Sequence, residues 1–199
     1  MPADLLPLFL KLEGRAVLAV GAGAVAERKI AALVGAGARV HVVAPEATPE
    51  IQRLAGEGAV ALSRRPFEEA DVDGQWLVVA ATGDAAVQRR VAAAAEARRV
   101  FVLAVDDPAH GSAYSGAIVR RPPFVVAISS SGATPALTRL LRDIVEQVLP
   151  GDDWVARATA LRDAWRADGT PMGQRFGALV RDFKERASRP GPGGGQRRS

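Results

Sequence analysis

A chain of 199 residues, 48% hydrophobic and 24% charged, can bury one α/β core and carry a smaller appendage. It has no cysteine, which excludes disulfides, thiolate metal sites and cysteine nucleophiles and fits a cytoplasmic protein; two histidines, His41 and His110, are too few for a histidine metal cage. The formal charge of +4 leaves a nucleic acid or a small polyanion as partner, and no apolar run approaches the ~20 residues of a membrane helix.

The opening "MPADLLPLFLKLEG" has no basic leader, and Pro7 breaks its short apolar core, so no signal peptide is expected. Ala16–Val20 reads as an apolar strand, Val25–Val34 as a helix stopped by Gly35 and Gly37, and Arg39–Val43 as a second strand. Together they form a βαβ unit of the usual ~30 residues. "AVALSRR" (59–65) predicts a third strand and "QWLVVAATGD" (75–84) a fourth strand with its loop. "DAAVQRRVAAAAEARR" (84–99) predicts a helix and "VFVLAV" (100–105) a fifth strand. Strands alternating with helices predict a doubly wound parallel sheet. Beyond it come two further strands near 114–119 and 124–129. A helix follows, with Thr134 and Pro135 at its start and Pro150-Gly151 at its end. Two amphipathic helices, split by Gly169-Thr170-Pro171, precede a Pro-, Gly- and Arg-rich tail that reads as disordered.

"VGAGAVAERK" contains Gly21-Ala22-Gly23-Ala24-Val25-Ala26, the G-x-G-x-x-A form of the dinucleotide fingerprint. Gly21 permits the tight turn, Gly23 lets backbone approach a pyrophosphate, and Ala26 lets the helix pack close to the strand. The helix N-terminus supplies N–H groups and a positive dipole. The motif follows a strand and opens a helix, the context that distinguishes it from a chance glycine pair. The second strand does not end on the acid that usually takes the ribose; Ala44-Pro45 stand there, and Glu46 is the nearest acid. Thr82 and Gly83, closing the fourth strand, belong to the same crevice.

The fifth strand runs into Asp106-Asp107-Pro108. Paired acids there are either a turn or a carboxylate held where open α/β sheets keep their chemistry. There is no Tyr-x-x-x-Lys pair, no P-loop and no nucleophile elbow. His110 is an acid–base candidate or a loop residue. Ser129-Ser130-Ser131-Gly132 precedes a helix start, which suits an anion or an ordinary turn. Arg139 and Arg142, three apart, share a helical face and form a carboxylate clamp or a solvated surface.

"LPLFLKLEGRAVLAVGAGAVAERKIAALVGAGARVHVVAP", "WLVVAAT", "VDDP" and "ISSSGATPALTRLLR" together resemble the precorrin-2 dehydrogenase/ferrochelatase family, the N-terminal module of siroheme synthase. The likeness runs from about Leu5 to about Phe183. It implies a Rossmann-type sheet over 1–111, a small α+β dimerisation segment over 112–150, a C-terminal helical domain over 151–187 and a tail over 188–199. It also implies NAD as cofactor, precorrin-2 as substrate and an intertwined homodimer. On this match the catalytic aspartate falls on Asp106, and the cofactor contacts fall on Gly21, Gly23, Ala24, Val25, Ala44, Pro45 and Thr82. The anion-binding serine falls on Ser130. An asparagine often stands in the family where this chain has Leu103, and a proline where it has Gly116.

The resemblance gives the paired acids a purpose. Oxidising precorrin-2 sends a hydride to NAD and a proton to a base, and a carboxylate at a strand's end can be that base. Asp106 leads because the strand fixes it, and Asp107 beside Pro108 shapes the turn. The substrate's carboxylates account for Arg139 and Arg142 without nucleic acid. The expected function is NAD-dependent dehydrogenation of precorrin-2 to sirohydrochlorin. The alternatives are a bifunctional enzyme that also inserts Fe2+ and a non-catalytic nucleotide-sensing module.

Overall fold

The computed structural model describes residues 5–105, 107–131, 133–149 and 151–187. By contacts the chain divides into two compact units. One runs to Gly116 and takes in Ser129–Thr138; the other holds Ala117–Ile128 and the chain from Arg139 onward.

The first unit is built on five parallel strands: β1 (Ala16–Val20), β2 (Arg39–Val43), β3 (Val60–Ser63), β4 (Leu77–Ala80) and β5 (Phe101–Ala104). Their order is β3-β2-β1-β4-β5. β1 pairs with β2 from Ala16↔Arg39 to Val20↔Val43 and with β4 from Val17↔Leu77 to Val20↔Ala80. β1 and β4 are apolar throughout because both faces are covered. Val17 and Ala19 face one layer with Ile30, Leu33 and Ile51; Leu18 and Val20 face the other with Val91, Ala95 and Val102.

Helix α1 (Ala24–Gly35) presents Ala26, Ile30 and Leu33 to the sheet, an i, i+4, i+7 stripe. Helix α2 (Pro49–Gly56) was not expected from sequence. Its start signal is nevertheless there, since Thr48 Oγ1 accepts from the Ile51 N–H at 3.4 Å and Pro49 takes the first turn. Helix α3 (Ala85–Ala97) buries Gln88, Val91, Ala92, Ala94 and Ala95. The alternation fails once: β3 reaches β4 without an α-helix, through a 3-10 turn over Glu69–Val72. Arg65 fastens that crossover with two bonds to Asp71, one at 2.9 Å, while Asp71 also accepts from the Glu68 N–H at 2.9 Å. The Arg65 guanidinium, opposed by partial burial, holds the Asp71 carboxyl below the usual carboxylate range.

In the second unit β6 (Ala117–Arg121) and β7 (Phe124–Ile128) form an antiparallel hairpin. The first of these strands lies a few residues later than the sequence predicts. Helix α4 (Pro135–Val148) begins in the first unit and runs on into the second. The Arg121 guanidinium donates to the carbonyls of Leu149 at 2.7 Å and Glu146 at 3.0 Å, tying the hairpin to the end of α4. Helices α5 (Asp152–Ala167) and α6 (Met172–Ala187) are joined by an Arg157–Asp182 pair at 2.7 Å and by Trp154 against Phe183, ring centroids 4.2 Å apart. Among the described residues no helix is long and apolar enough to cross a membrane.

Ile30 has no exposed surface, whereas Val25 on the same helix is 40% exposed. Ile30→Ala should lower unfolding free energy by about 2–5 kcal/mol, and Val25→Ala by much less. Urea titration of both variants measures the difference.

Candidate dinucleotide site

The β1–α1 turn is set by a close approach. Gly21 has φ +100, and a Cβ on it would stand 2.3 Å from the Ala81 carbonyl oxygen and 2.7 Å from the Ala81 carbonyl carbon. Only glycine fits, because the clash is with backbone and the dihedral disfavours any L side chain. The Gly21 N–H donates to the Val43 carbonyl at 3.0 Å and the Ala81 N–H to the Val20 carbonyl at 2.8 Å, so the turn is stitched to the ends of both neighbouring strands.

Gly23 differs. It is the N-cap of α1 in extended conformation, and a Cβ there would meet nothing within 4 Å. No side chain caps α1, although Thr48 caps α2 and Asp84 caps α3 by accepting from the N–H groups of Ala86 at 2.7 Å and Val87 at 3.2 Å. Among the described residues no side chain accepts from the first N–H groups of α1, which suits an anion drawn by the helix dipole. These residues fit the pyrophosphate of a dinucleotide.

The residues expected to hold cofactor come together at one edge. Gly21, Gly23, Ala24 and Val25 follow β1, Ala44 and Pro45 follow β2, and Thr82 follows β4, so all stand at the carboxyl ends of three adjacent parallel strands. This is the switch point of the sheet, where α1 and α3 leave for opposite faces. Thr82 Oγ1 accepts from the Asp84 N–H at 3.2 Å, shaping the β4–α3 turn. Ala44 is buried and Glu46 exposed.

Asp106, the expected catalytic acid, lies outside the described residues. Its neighbours are well tied. The Val105 N–H donates to the Ala80 carbonyl at 2.9 Å, and the Val105 carbonyl accepts from Gln88 Nε2 at 2.9 Å. Asp107 carries a turn, as expected: its carboxylate lies 2.8 Å from His110 Nδ1, and its carbonyl accepts from the His110 N–H at 3.2 Å. Ser130 is used locally, since its Oγ accepts from the Thr134 N–H at 3.2 Å and from Thr138 Oγ1 at 2.8 Å, fastening the first turn of α4. Arg142 is engaged by Asp143 at 2.5 Å, which holds the guanidinium above its ordinary pKa. Arg139 is exposed. Both arginines fall in the second unit, Ser130 in the first. Among the described residues no cluster of His, Asp and Glu could hold a metal ion. Sequence reasoning missed Gln88; its signal was a polar residue on the apolar stripe of α3.

A parallel sheet in this order, with a glycine turn and an uncapped helix at its switch point, defines a Rossmann-type dinucleotide-binding protein. Residues 8–117, more than half of the chain, match a family model described as "Putative NAD(P)-binding", and the chain belongs to that family. It is 42% identical over 174 residues to siroheme synthase 3 of Aeromonas hydrophila, a match covering 86% of this chain and 37% of that protein. It is 50% identical over 147 residues to siroheme synthase 1 of Cronobacter sakazakii, covering 74% and 31%. The chain thus spans about a third of the length of the curated relatives it matches. Among solved structures, one titled SirC, precorrin-2 dehydrogenase, superposes with a TM-score of 0.72 at 24% identity, covering 89% of this chain and 88% of that one. At that identity the likeness shows the fold.

Two glycines, two outcomes follow. Gly23→Val should abolish NAD binding by calorimetry while circular dichroism and melting stay near wild type. Gly21→Ala should damage the fold itself, with melting measurably lowered, because its Cβ meets backbone.

Proposed function

We propose that the protein oxidises precorrin-2 to sirohydrochlorin with NAD. The observation that carries the reading is the switch point: a glycine turn and an α1 without a side-chain cap after β1, in a sheet whose order sets β5, the strand that precedes the paired acids in sequence, two places from β1. The matched siroheme synthases, and a neighbour in fold whose title names precorrin-2 dehydrogenase, support the choice of substrate.

The chain's own parts in the reaction follow from their places. The N–H groups at the start of α1 hold the pyrophosphate, with Gly21, Gly23, Ala24 and Val25 as the backbone that approaches it. Ala44, Pro45 and Thr82 border the rest of the dinucleotide. NAD, when bound, takes a hydride from the tetrapyrrole. Asp106 takes the proton that leaves with it. Asp107 is held by His110 and shapes the turn. Arg139 and Arg142 serve the carboxylates of the substrate, Arg142 by exchanging Asp143 for a substrate group, and Ser130 anchors the start of their helix. These roles suit a cytoplasmic enzyme of tetrapyrrole synthesis.

Helix α4 supports a homodimer. Leu137, Leu140, Leu141, Ile144 and Val148 are each at least 41% exposed, with Ile118, Phe124 and Val125 of the hairpin exposed as well. An apolar face of that extent marks an interaction surface. A second copy of the chain covers it, because in this family the segment that pairs protomers is the one that follows the Rossmann unit.

Anaerobic incubation with precorrin-2 and NAD, without iron, should give NADH and the sirohydrochlorin spectrum together; NAD binding with no turnover would indicate a nucleotide sensor. Asp106→Asn should cut kcat ~10²–10⁴-fold with NAD affinity kept, and Asp107→Asn far less. Arg139→Ala with Arg142→Ala should raise KM for precorrin-2 more than for NAD. Ile144→Glu should shift the sedimentation of a dimer to that of a monomer.

A further inference from the structure

Gln88 is the one polar side chain in the buried core among the described residues, 3% exposed on a helix face otherwise made of Val91, Ala92, Ala94 and Ala95. A buried amide is costly unless it is hydrogen-bonded, and leucine or methionine would fill the same space. Its Nε2 donates to the Val105 carbonyl at 2.9 Å across 17 residues of sequence. That bond fixes which end of the amide is which, since a carbonyl only accepts. Its Oε1 is buried with no hydrogen-bond partner. Of the amide's two polar atoms only Nε2 has a partner, and that partner is one backbone carbonyl.

That carbonyl belongs to the peptide leading into residue 106. The Val105 N–H is already held by the Ala80 carbonyl at 2.9 Å, so Gln88 completes the restraint of Val105 on both its backbone polar groups. The segment is closed again farther on. Ser112 Oγ accepts from the Val102 N–H at 2.9 Å, and the N–H groups of Ser112 and Ala113 both donate to the Val102 carbonyl at 2.9 Å. Residue 105 is thus tied to the end of β4 and residue 112 to Val102 within β5, and the Gln88 bond is the side-chain tie at the entry. Asp84, capping α3 just ahead of Gln88, sets the helix from which it reaches.

We infer that Gln88 is a positioning residue for the acid-bearing segment after β5, acting through the Val105 carbonyl on the carboxylate proposed above as the base. The inference rests on the dehydrogenase reading, and its test separates the two. Gln88→Met keeps the volume and removes the donor. Misplacing a reacting group by even an ångström costs on the order of 10–100-fold in rate, so kcat for precorrin-2 should fall ~10-fold or more while NAD affinity stays unchanged. In an Asp106→Asn background the same substitution should cost nothing further, because the group it positions is gone. Hydrogen exchange at the amides between residues 105 and 112 should quicken in Gln88→Met, with the amides of β1 and β4 unaffected. The control is Gln75→Met. Gln75 has an equally unpartnered buried Oε1 but lies before β4, at the opposite end of the sheet, and its loss should leave kcat alone. A wild-type kcat in Gln88→Met overturns the inference, as does an equal loss in the Asp106→Asn background, which would mean a general effect on the fold. If the wild-type protein does not turn over precorrin-2, the dehydrogenase reading fails and the positioning role with it. Quickened exchange would then show that the Gln88–Val105 bond is a structural tie alone.

Discussion

The approach of Gly21 to the Ala81 carbonyl governs the first unit. β1 is the central strand, and after Val20 its chain must turn up into α1 without striking the end of β4. A hypothetical Cβ only 2.3 Å from a backbone oxygen measures how little room there is. Because the obstacle is main chain, it cannot swing aside as a side chain would. The turn therefore exists only with glycine, and its φ of +100 is open to glycine at no steric cost. The edge follows from that passage: α1 starts close to the sheet, and its N-terminus, which no side chain caps, comes to the switch point.

Capping separates α1 from the two helices that follow it. Thr48 and Asp84 satisfy the first turns of α2 and α3 with their own oxygens. α1 begins at Gly23, which has no side chain to offer. A side-chain cap would stabilise a helix by about 1 kcal/mol. Its lack at the fingerprint leaves the first turn without a side-chain acceptor, as the anion site proposed above requires.

The second unit differs in how it is held. The first has a two-sided sheet with fully buried valines, whereas α4, α5 and α6 contain no fully buried hydrophobic side chain among the described residues. The second unit's polar ties run from Arg121 to two carbonyls at the end of α4 and from Arg157 to Asp182 between α5 and α6. α4 leaves Leu137, Leu140 and Leu141 exposed. This supports the dimer proposed above.

The sequence by itself determined the central βαβ unit, the fingerprint glycines and the helical C-terminal part. These are written in local terms: an apolar run for a strand buried on both faces, a helical stripe, a glycine where only glycine turns. Local signals also sufficed for α2, where Thr48-Pro49 states the start as clearly as Thr134-Pro135 does for α4, but the helix is two turns long and its apolar stripe too brief to notice. The helix-free β3–β4 crossover was not legible, because it depends on Arg65 meeting Asp71 across a turn. Only the tertiary structure decided how the polar residues are spent. The string "SSSG" shows a serine suited to an anion but not that Ser130 Oγ accepts from the Thr134 N–H at the start of α4 and from Thr138 Oγ1 one turn on. Gln88 looks like a chance polar residue on α3 and proves to hold the end of β5, because its partner is a backbone carbonyl 17 residues away. A periodic pattern shows which face is buried; which carbonyl lies opposite a buried amide is set by the packing of helix on sheet.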